Sequence, residues 1–282
     1  MGVRIAVRLS AMVVATALLA GCETIGSVFE DDEIPLENRS AVEIFESAEN
    51  ALAAGEAATA AQTYDEVERL FPFSQLAKRA TIMSSFAHYE AGDMPSSRRS
   101  AKRYLDLYPT DPDAPYAQYL IALTYYDNIV DVGRDQQTTR KALEELTEVV
   151  RRFPGTDYAR DAQLKLDLTN NHLAGKEMEI GRYYLKRGHH MAAINRFRVV
   201  LEQYQTTAQT PEALHRLVEA YLSMGLNQEA QVVAAVLGEN FVGSDWYAAS
   251  YALLTDRDLR PATREDGFFS RVYRRIIQGK WL

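Results

Sequence analysis

The residue best placed to react chemically is Cys22, the single cysteine of the 282-residue chain. It follows Leu19-Ala20-Gly21, and Leu-Ala-Gly-Cys matches the lipobox, in which small residues admit a peptidase and the thiol receives a diacylglycerol. Residues 1–21 carry two arginines and no acid, and end in an uncharged run of 13 residues, the pattern of a cleaved signal peptide. Because a spanning helix needs about 20 apolar residues, this run is too short to remain in a bilayer. The sequence therefore predicts a signal peptide and a lipid on Cys22.

The other candidate residues lack the spacing of a catalytic or metal site. Cys22 could also be a small buried apolar residue, but the basic start, the length of the apolar run and the small residues before it favour the lipobox. As the single cysteine it cannot form an internal disulfide. His189-His190 could suggest a metal, yet adjacent helical residues point about 100° apart and cannot chelate an ion without further ligands. The chain contains no phosphate-binding glycine loop, His-Glu-x-x-His or Gly-x-Ser-x-Gly. We expect no catalytic residue, no metal and no cofactor other than the covalent lipid.

The composition excludes nucleic acid as a natural partner and favours helices. Lys and Arg number 31 against 39 Asp and Glu, so the formal charge is −8, too acidic for a protein that coats nucleic acid. The chain is 47% hydrophobic and 25% charged, which is ordinary for a globular protein with a real core. Nine prolines and fifteen glycines are few for this length, and alanine is abundant. These features predict an all-α fold.

Glycines and aromatic residues recur at a fixed spacing of 16 residues, which indicates an internal repeat. A fifth unit ends at Phe153, where Gly133 lies 20 residues back and implies an insertion. A small residue stands eleven positions before each aromatic. The pairs at the fixed spacing are Gly55 and Phe71, Gly92 and Tyr108, Gly188 and Tyr204, and Gly225 and Phe241.

Each repeat unit is expected to be a helical hairpin. The steps from the small residue through two larger ones to the aromatic are four, three and four residues, which places all four on one helical face. The glycine makes the turn before this second helix, and the aromatic ends it. Residues three positions past each aromatic could cap the next helix, although Thr210-Pro211 offers a second start in the fourth junction. These candidate caps are Ser74, Asp111, Thr156, Thr207 and Ser244.

The pattern is typical of a tetratricopeptide-like solenoid of about five helical hairpins. Successive terminal aromatics are 37, 45, 51 and 37 residues apart, so the central units should carry longer helices or insertions. Stacked helix pairs leave a groove lined by the first helix of each unit, where such arrays hold peptides.

The sequence divides into five segments. We expect a signal peptide over 1–21, a lipidated flexible tether over 22–39, amino-terminal repeats over 40–110, central and carboxy-terminal repeats over 111–255, and a basic tail or capping helix over 256–282. The tail has no acid after Asp266. It could lie on a membrane, bind an acidic segment such as the tether, or shield the last repeat.

The mature chain resembles the YfiO/ComL-type lipoproteins, the BamD family of the β-barrel assembly machinery of Gram-negative bacteria. The resemblance runs from about residue 20 to 255 and is strongest over 116–127, 133–136, 153–159 and 192–197. It implies a non-enzymatic scaffold, lipid-anchored at the periplasmic face of the outer membrane, that aids recognition, assembly and insertion of outer-membrane proteins. The implied partners are the periplasmic domain of the central barrel-assembly protein, accessory assembly lipoproteins and unfolded barrel substrates. With this resemblance, residues 40–110 are expected to be the substrate-binding half and residues 111–255 the partner-docking half. A periplasmic repeat adaptor for cell-division or peptidoglycan enzymes is the alternative function.

Two sets of residues are candidates for these contacts. Counting back from the glycines places aromatic and aliphatic side chains and one arginine on the first helices, which suits a peptide with a terminal aromatic and a free carboxylate. The peptide-groove candidates are Phe45, Arg79, Ile82, Phe86 and Tyr89. The docking candidates are Arg134, Asp135, Arg182, Arg187 and Arg196. Phe45, Ile82 and Phe86 could equally fill the solenoid core, and Arg134-Asp135 could form a structural ion pair.

Overall fold

The computed structural model describes residues 35–262, in which the chain is helical and contains no strand. This confirms the all-α prediction. The signal peptide, Cys22, most of the tether and residues 263–282 lie outside the described residues. A short 3-10 helix, Leu36–Asn38, precedes eleven α-helices in this part of the chain. They are α1 (Ala41–Ala53), α2 (Ala57–Leu70), α3 (Gln75–Glu90), α4 (Met94–Leu107), α5 (Ala114–Tyr126), α6 (Gln137–Arg152), α7 (Asp157–Lys186), α8 (His190–Gln203), α9 (Thr210–Ser223), α10 (Asn227–Phe241) and α11 (Asp245–Thr255).

The first ten helices form five hairpins, as the repeat spacing predicts. Four of the turns contain Gly55, Gly92, Gly188 and Gly225, each with a φ between 75° and 82°. This left-handed conformation strains a residue that carries a Cβ, which explains the glycines. Gly133 differs, because it lies in a ten-residue loop, 127–136, between α5 and α6.

The second helix of each hairpin supplies the core through the predicted face. Three positions on each of these helices are fully buried, and the following aromatic ends the helix or stands just past it. The small first residue lets the partner helix approach closely. The buried sets are Ala60, Tyr64 and Val67; Ser97, Ala101 and Tyr104; Ala142, Leu146 and Val149; Ala193, Phe197 and Val200; and Ala230, Ala234 and Leu237.

Three of the five predicted helix caps are confirmed and two are wrong. The side chains of Ser74, Thr156 and Ser244 accept hydrogen bonds from backbone N–H groups in the first turns of α3, α7 and α11. Asp111 and Thr207 cap nothing, because α5 and α9 begin three residues later, each with a proline in its first turn. Proline suits that turn because the N–H it lacks would have no helical partner there.

The middle of the solenoid is irregular, as the aromatic spacing predicts. Helix α7 is 30 residues long, and its two halves belong to different core clusters. Its first half packs through Ala162 and Leu166 beside α5 and α6, while Ala174 and Met178 pack with α8 and α9. One helix therefore links the two halves of the solenoid.

The carboxy-terminal end of the solenoid is covered by α11. The buried Ser250 hydroxyl lies 2.8 Å from His215 Nδ1 on α9, and the Trp246 ring packs 5.2 Å from the His215 ring. These contacts fasten α11 to the last hairpin. Over residues 35–262, no helix is long and apolar enough to cross a membrane.

Candidate functional site

One surface of the solenoid is built from the first helices of the hairpins, α1, α3, α5, α7 and α9, each of which contacts the next. At its amino-terminal end the guanidinium of Arg79 lies 5.1 Å from the centre of the Phe45 ring and 3.0 Å from Glu49 Oε1. The Arg79 side chain is 62% exposed. This arrangement offers a cation, held against an aromatic ring, to a ligand on the α1–α3 surface.

The structure places two of the five groove candidates in the core. Phe45 and Ile82 are only 4% and 5% exposed. Phe45 packs edge-on against Tyr64, with ring centres 5.3 Å apart, and Ile82 belongs to the cluster of the second hairpin. Phe45 and Ile82 therefore pack in the core beneath the α1–α3 surface and offer almost no surface to a ligand.

Phe86 and Tyr89 are half-buried and pack against the hydrophobic cluster that α3, α4 and α5 form. The Tyr89 hydroxyl donates a hydrogen bond to Asp127, just past the end of α5. Burial and this bond raise the pKa of Tyr89 well above its usual range, so the hydroxyl stays protonated. Arg79, Phe86 and Tyr89 are therefore the groove candidates with surface available on α3.

A second aromatic cluster continues this surface across α5 and α7. The Tyr119 hydroxyl donates to Asp161, and Lys165 Nζ lies 2.7 Å from the same carboxylate. The Tyr158 ring packs 5.4 Å from Tyr116 and 5.5 Å from Tyr119. The sequence analysis did not predict a site at this cluster. The high density of tyrosines between residues 116 and 126 could have indicated one.

Three docking candidates lie around one stretch of α7. Lys176 Nζ donates to the carbonyl of Gly133 at 3.1 Å and so holds the 127–136 loop, which carries the exposed Arg134 and Asp135, against α7. The neighbouring Glu177 pairs with Arg196 of α8 at 3.1 Å. Asp135 Oδ2 accepts from the N–H of Gln137 at 2.9 Å and so stabilises the start of α6.

The other two docking candidates, Arg182 and Arg187, lie near the carboxy-terminal end of α7. Arg182 Nη1 lies 3.0 Å from Glu212 Oε2 of α9, on the surface formed by the first helices. Arg187 stands at the turn after α7, with its guanidinium 4.3 Å from the centre of the Tyr183 ring. The five docking candidates are therefore distributed over the 127–136 loop, α7, the turn after α7 and α8.

No group of three or more potential metal ligands occurs within the described range. His189 precedes the first turn of α8 and His190 opens it. Partly buried polar groups form structural links between helices, such as the bonds of Asp111 to Lys78 and Tyr104.

These features define a helical-repeat protein of the tetratricopeptide type, a class that contacts other polypeptides through the surfaces of its stacked helices. The chain belongs to the YfiO family of outer membrane lipoproteins, whose family model matches residues 37–236.

Three relatives share most of the chain, and each is named outer membrane protein assembly factor BamD. The relative from Caulobacter vibrioides is 46% identical over 259 residues, which cover 92% of this chain and 84% of the relative. That from Rickettsia prowazekii is 42% identical over 195 residues, or 69% and 78% of the two chains. That from Neisseria meningitidis serogroup A is 30% identical over 233 residues, or 79% and 87%.

Proposed function

We propose that this protein is a non-enzymatic, lipid-anchored scaffold at the periplasmic face of the outer membrane, which aids assembly and insertion of outer-membrane β-barrel proteins. The observation that carries the proposal is the 46% identity, over 92% of the chain, to a protein named for outer membrane protein assembly. The lipid on Cys22 is the only attached group that the proposal requires. The aromatic and charged surfaces of the first helices suit contact with polypeptides.

Depletion in cells tests this function. Loss of the protein should lower the amount of folded outer-membrane barrels, and wild-type protein supplied from a second copy should restore it. Cys22→Ser should restore less, because the scaffold loses its anchor while its repeats stay intact. Disturbed septation with normal barrel levels would instead support an adaptor for cell-division or peptidoglycan enzymes.

The α1–α3 groove would bind the terminal segment of an unfolded barrel substrate. Arg79 would pair with the free carboxylate, and Phe86 and Tyr89 would contact the terminal aromatic side chain. Phe45 and Ile82 would hold Arg79 and the helices in position.

The groove is tested by binding of a fluorescent peptide that ends in a phenylalanine carboxylate. Arg79→Glu combined with Tyr89→Ala should weaken binding about tenfold or more, because a charge-assisted contact and an aromatic contact are both lost. Arg151→Glu, on the exposed side of α6, is the matched charge control. Unchanged anisotropy with the double variant, or equal binding of the peptide amide, would reject the groove.

The surface formed by Arg134, Asp135 and Arg196 would dock the periplasmic domain of the central barrel-assembly protein, with accessory lipoproteins joining the complex. Arg196 is the most informative residue, because its ion pair with Glu177 leaves the side chain 42% exposed. Arg196→Glu should lower co-purification of the barrel-assembly protein several-fold. Arg151→Glu should leave it unchanged, and retention of the partner by Arg196→Glu would remove this residue from the interface.

A further inference from the structure

Helix α11 ends in the same turn as the first helices of four hairpins. The N–H of Asp258 donates to the carbonyl three residues back, and the N–H of Leu259 donates to the carbonyl five residues back. Asp258 also has a left-handed backbone, with a φ of 56°, which is uncommon for a residue that carries a Cβ. The same two bonds and the same backbone region are found at Gly55, Gly92, Gly188 and Gly225. By its turn, α11 is therefore the first helix of a sixth hairpin.

In the hairpins with a glycine turn, two positions of the first helix face the second helix. The position seven residues before the glycine is Ser85 in α3, whose hydroxyl donates to the carbonyl of Ser97 of α4 at 2.9 Å. The position ten residues before it is Phe45 in α1, whose ring packs on Tyr64 of α2. Both positions are buried in all four of these hairpins. The pairs are Ala48 and Phe45, Ser85 and Ile82, Gly181 and Met178, and Val218 and His215.

In α11 the two equivalent positions are exposed. Tyr251 is 47% exposed, and Ala248 is exposed as well. With Ala252 and Thr255 they form a stripe at spacings of three and four residues, and residues 246–255 contain no charged side chain. A helix without a charged face is normally buried. Helices α9 and α10 pack on the other side of α11, so within the described residues the face that should meet a second helix is uncovered.

The chain leaves α11 toward the layer of second helices. Gln231, in the second turn of α10, holds it twice: its Nε2 donates to the carbonyl of Arg260 at 2.7 Å, and its own carbonyl accepts from the N–H of Ala262 at 3.0 Å. Because α10 is itself a second helix and Gln231 lies near its start, Ala262 stands at the end of the solenoid where second helices begin. A helix that starts after Ala262 can therefore run back along α11.

The sequence after Ala262 predicts such a helix over residues 264–278. Thr263 and Asp266 have the spacing of a capping box in front of an apolar run, and Gly279 provides a stop signal. Apolar residues then recur as adjacent pairs every four positions, which places them on one side of a helix with the arginines on the other. The apolar pairs are Phe268 and Phe269, Val272 and Tyr273, and Ile276 and Ile277, and the arginines are Arg271, Arg274 and Arg275.

We propose that residues 264–278 form the second helix of a sixth hairpin and pack their apolar side on the face of α11 that carries Ala248, Tyr251 and Ala252. The two alanines allow the helices to approach closely, as the small residues of the other hairpins do. The solenoid then ends on the polar side of this helix. This inference is independent of the proposed function.

Disulfide trapping in the mature chain tests the sixth hairpin. In a Cys22→Ser background, Ala248→Cys on α11 is combined with Val272→Cys on the apolar side of the tail. The matched control combines Ala248→Cys with Arg274→Cys, which is close in sequence but on the polar side. An intramolecular disulfide should form about tenfold faster in the first pair, because packing of the hairpin raises the local concentration of the two thiols.

Amide hydrogen exchange provides a second measurement that needs no added cysteine. Val272→Asp combined with Ile276→Asp makes the apolar side of the tail polar, so α11 should lose its cover and exchange several-fold faster than in the wild type. Arg271→Asp combined with Arg275→Asp is the control on the polar side and should leave the exchange of α11 unchanged.

Three outcomes would overturn the proposal. Equal disulfide rates in the two pairs would mean that the tail does not present its apolar side to α11. Disulfide-linked dimers without an intramolecular bond would show that a second copy of the chain covers this face. Unchanged exchange of α11 in the variant with Val272→Asp and Ile276→Asp would mean that the tail does not protect the helix.

Discussion

At the scale of single residues, Asp111 shows how a side chain can join parts of the chain that are distant in sequence. Its carboxylate lies 2.6 Å from Lys78 Nζ of α3 and accepts a 2.6 Å hydrogen bond from the hydroxyl of Tyr104 of α4. It also accepts from the N–H of Asp113 at 3.0 Å. The bonds from Lys78, Tyr104 and Asp113 lower the pKa of Asp111 from 3.8 to about 2.

We predict that Asp111→Asn lowers the free energy of unfolding by about 1–2 kcal/mol at neutral pH, since the partly exposed Lys78 is screened by water. Because the folded-state pKa is depressed, the contribution is present above about pH 4 and is lost as the pH falls toward 2. The difference between wild type and variant in urea unfolding should therefore shrink on acidification. Asp113→Asn is the control, and a difference that is constant with pH would contradict the assignment.

Asp111 also shows why some residue roles could not be predicted from sequence. Its position three residues past Tyr108 suggested a helix cap, but its main partner is Lys78, 33 residues away. Periodicity places residues on a face of one helix and does not say which side chain of another hairpin will meet them. The groove candidates show the same difficulty, because burial of Phe45 and Ile82 depends on how the hairpins stack.

At the scale of elements, the sequence predicted most of the hairpins because their signals are local. Each hairpin is marked by a glycine in the left-handed region, which makes the turn, and by a small residue and a terminal aromatic on the helix that follows. All three signals lie within a single helix or the turn before it. The first helices and the middle of the solenoid were less predictable. The length of α7 depends on packing against two different clusters, and no local signal at its centre marks that change.

The contact between α7 and α8 provides a prediction about helix packing. A Cβ built on Gly181 of α7 would clash with the ring of the fully buried Phe197 of α8, at 2.8 Å from Cδ1 and closer still to Cε1. Gly181→Ala should therefore destabilise the protein by about 1–3 kcal/mol, despite the better helix propensity of alanine.

The matched control for this prediction is Gly175→Ala on the same helix. There the added methyl group would meet Val132 Cγ2 at 3.8 Å, an ordinary contact. This variant should be neutral or up to about 1 kcal/mol more stable. Thermal unfolding of both variants checks the pair, and equal effects would show that contact with Phe197 does not limit the residue at position 181.

At the scale of the whole molecule, the described hairpins contain four hydrophobic clusters, and α7 contributes to two of them. It thereby joins an amino-terminal region, with three clusters, to a carboxy-terminal region, with one. Each hairpin contacts chiefly its neighbours, so cooperativity must pass from one repeat to the next. Helix α7 couples the unfolding of the cluster that contains Leu166 to that of the cluster that contains Met178, because it packs into both. Unfolding of the two regions should therefore be coupled as long as α7 is continuous.

We predict that Asn170→Pro, at the centre of α7, separates the two regions. Proline there removes a helical hydrogen bond and kinks the helix at a cost of about 3 kcal/mol or more. In a Trp281→Phe background, Trp246 fluorescence reports on the carboxy-terminal region, and far-ultraviolet circular dichroism reports on all helices. The two urea transitions should coincide in the parent and in Asn170→Ala, and should separate in Asn170→Pro. Coincident transitions in the proline variant would mean that coupling passes through side-chain contacts between hairpins and does not need a continuous α7.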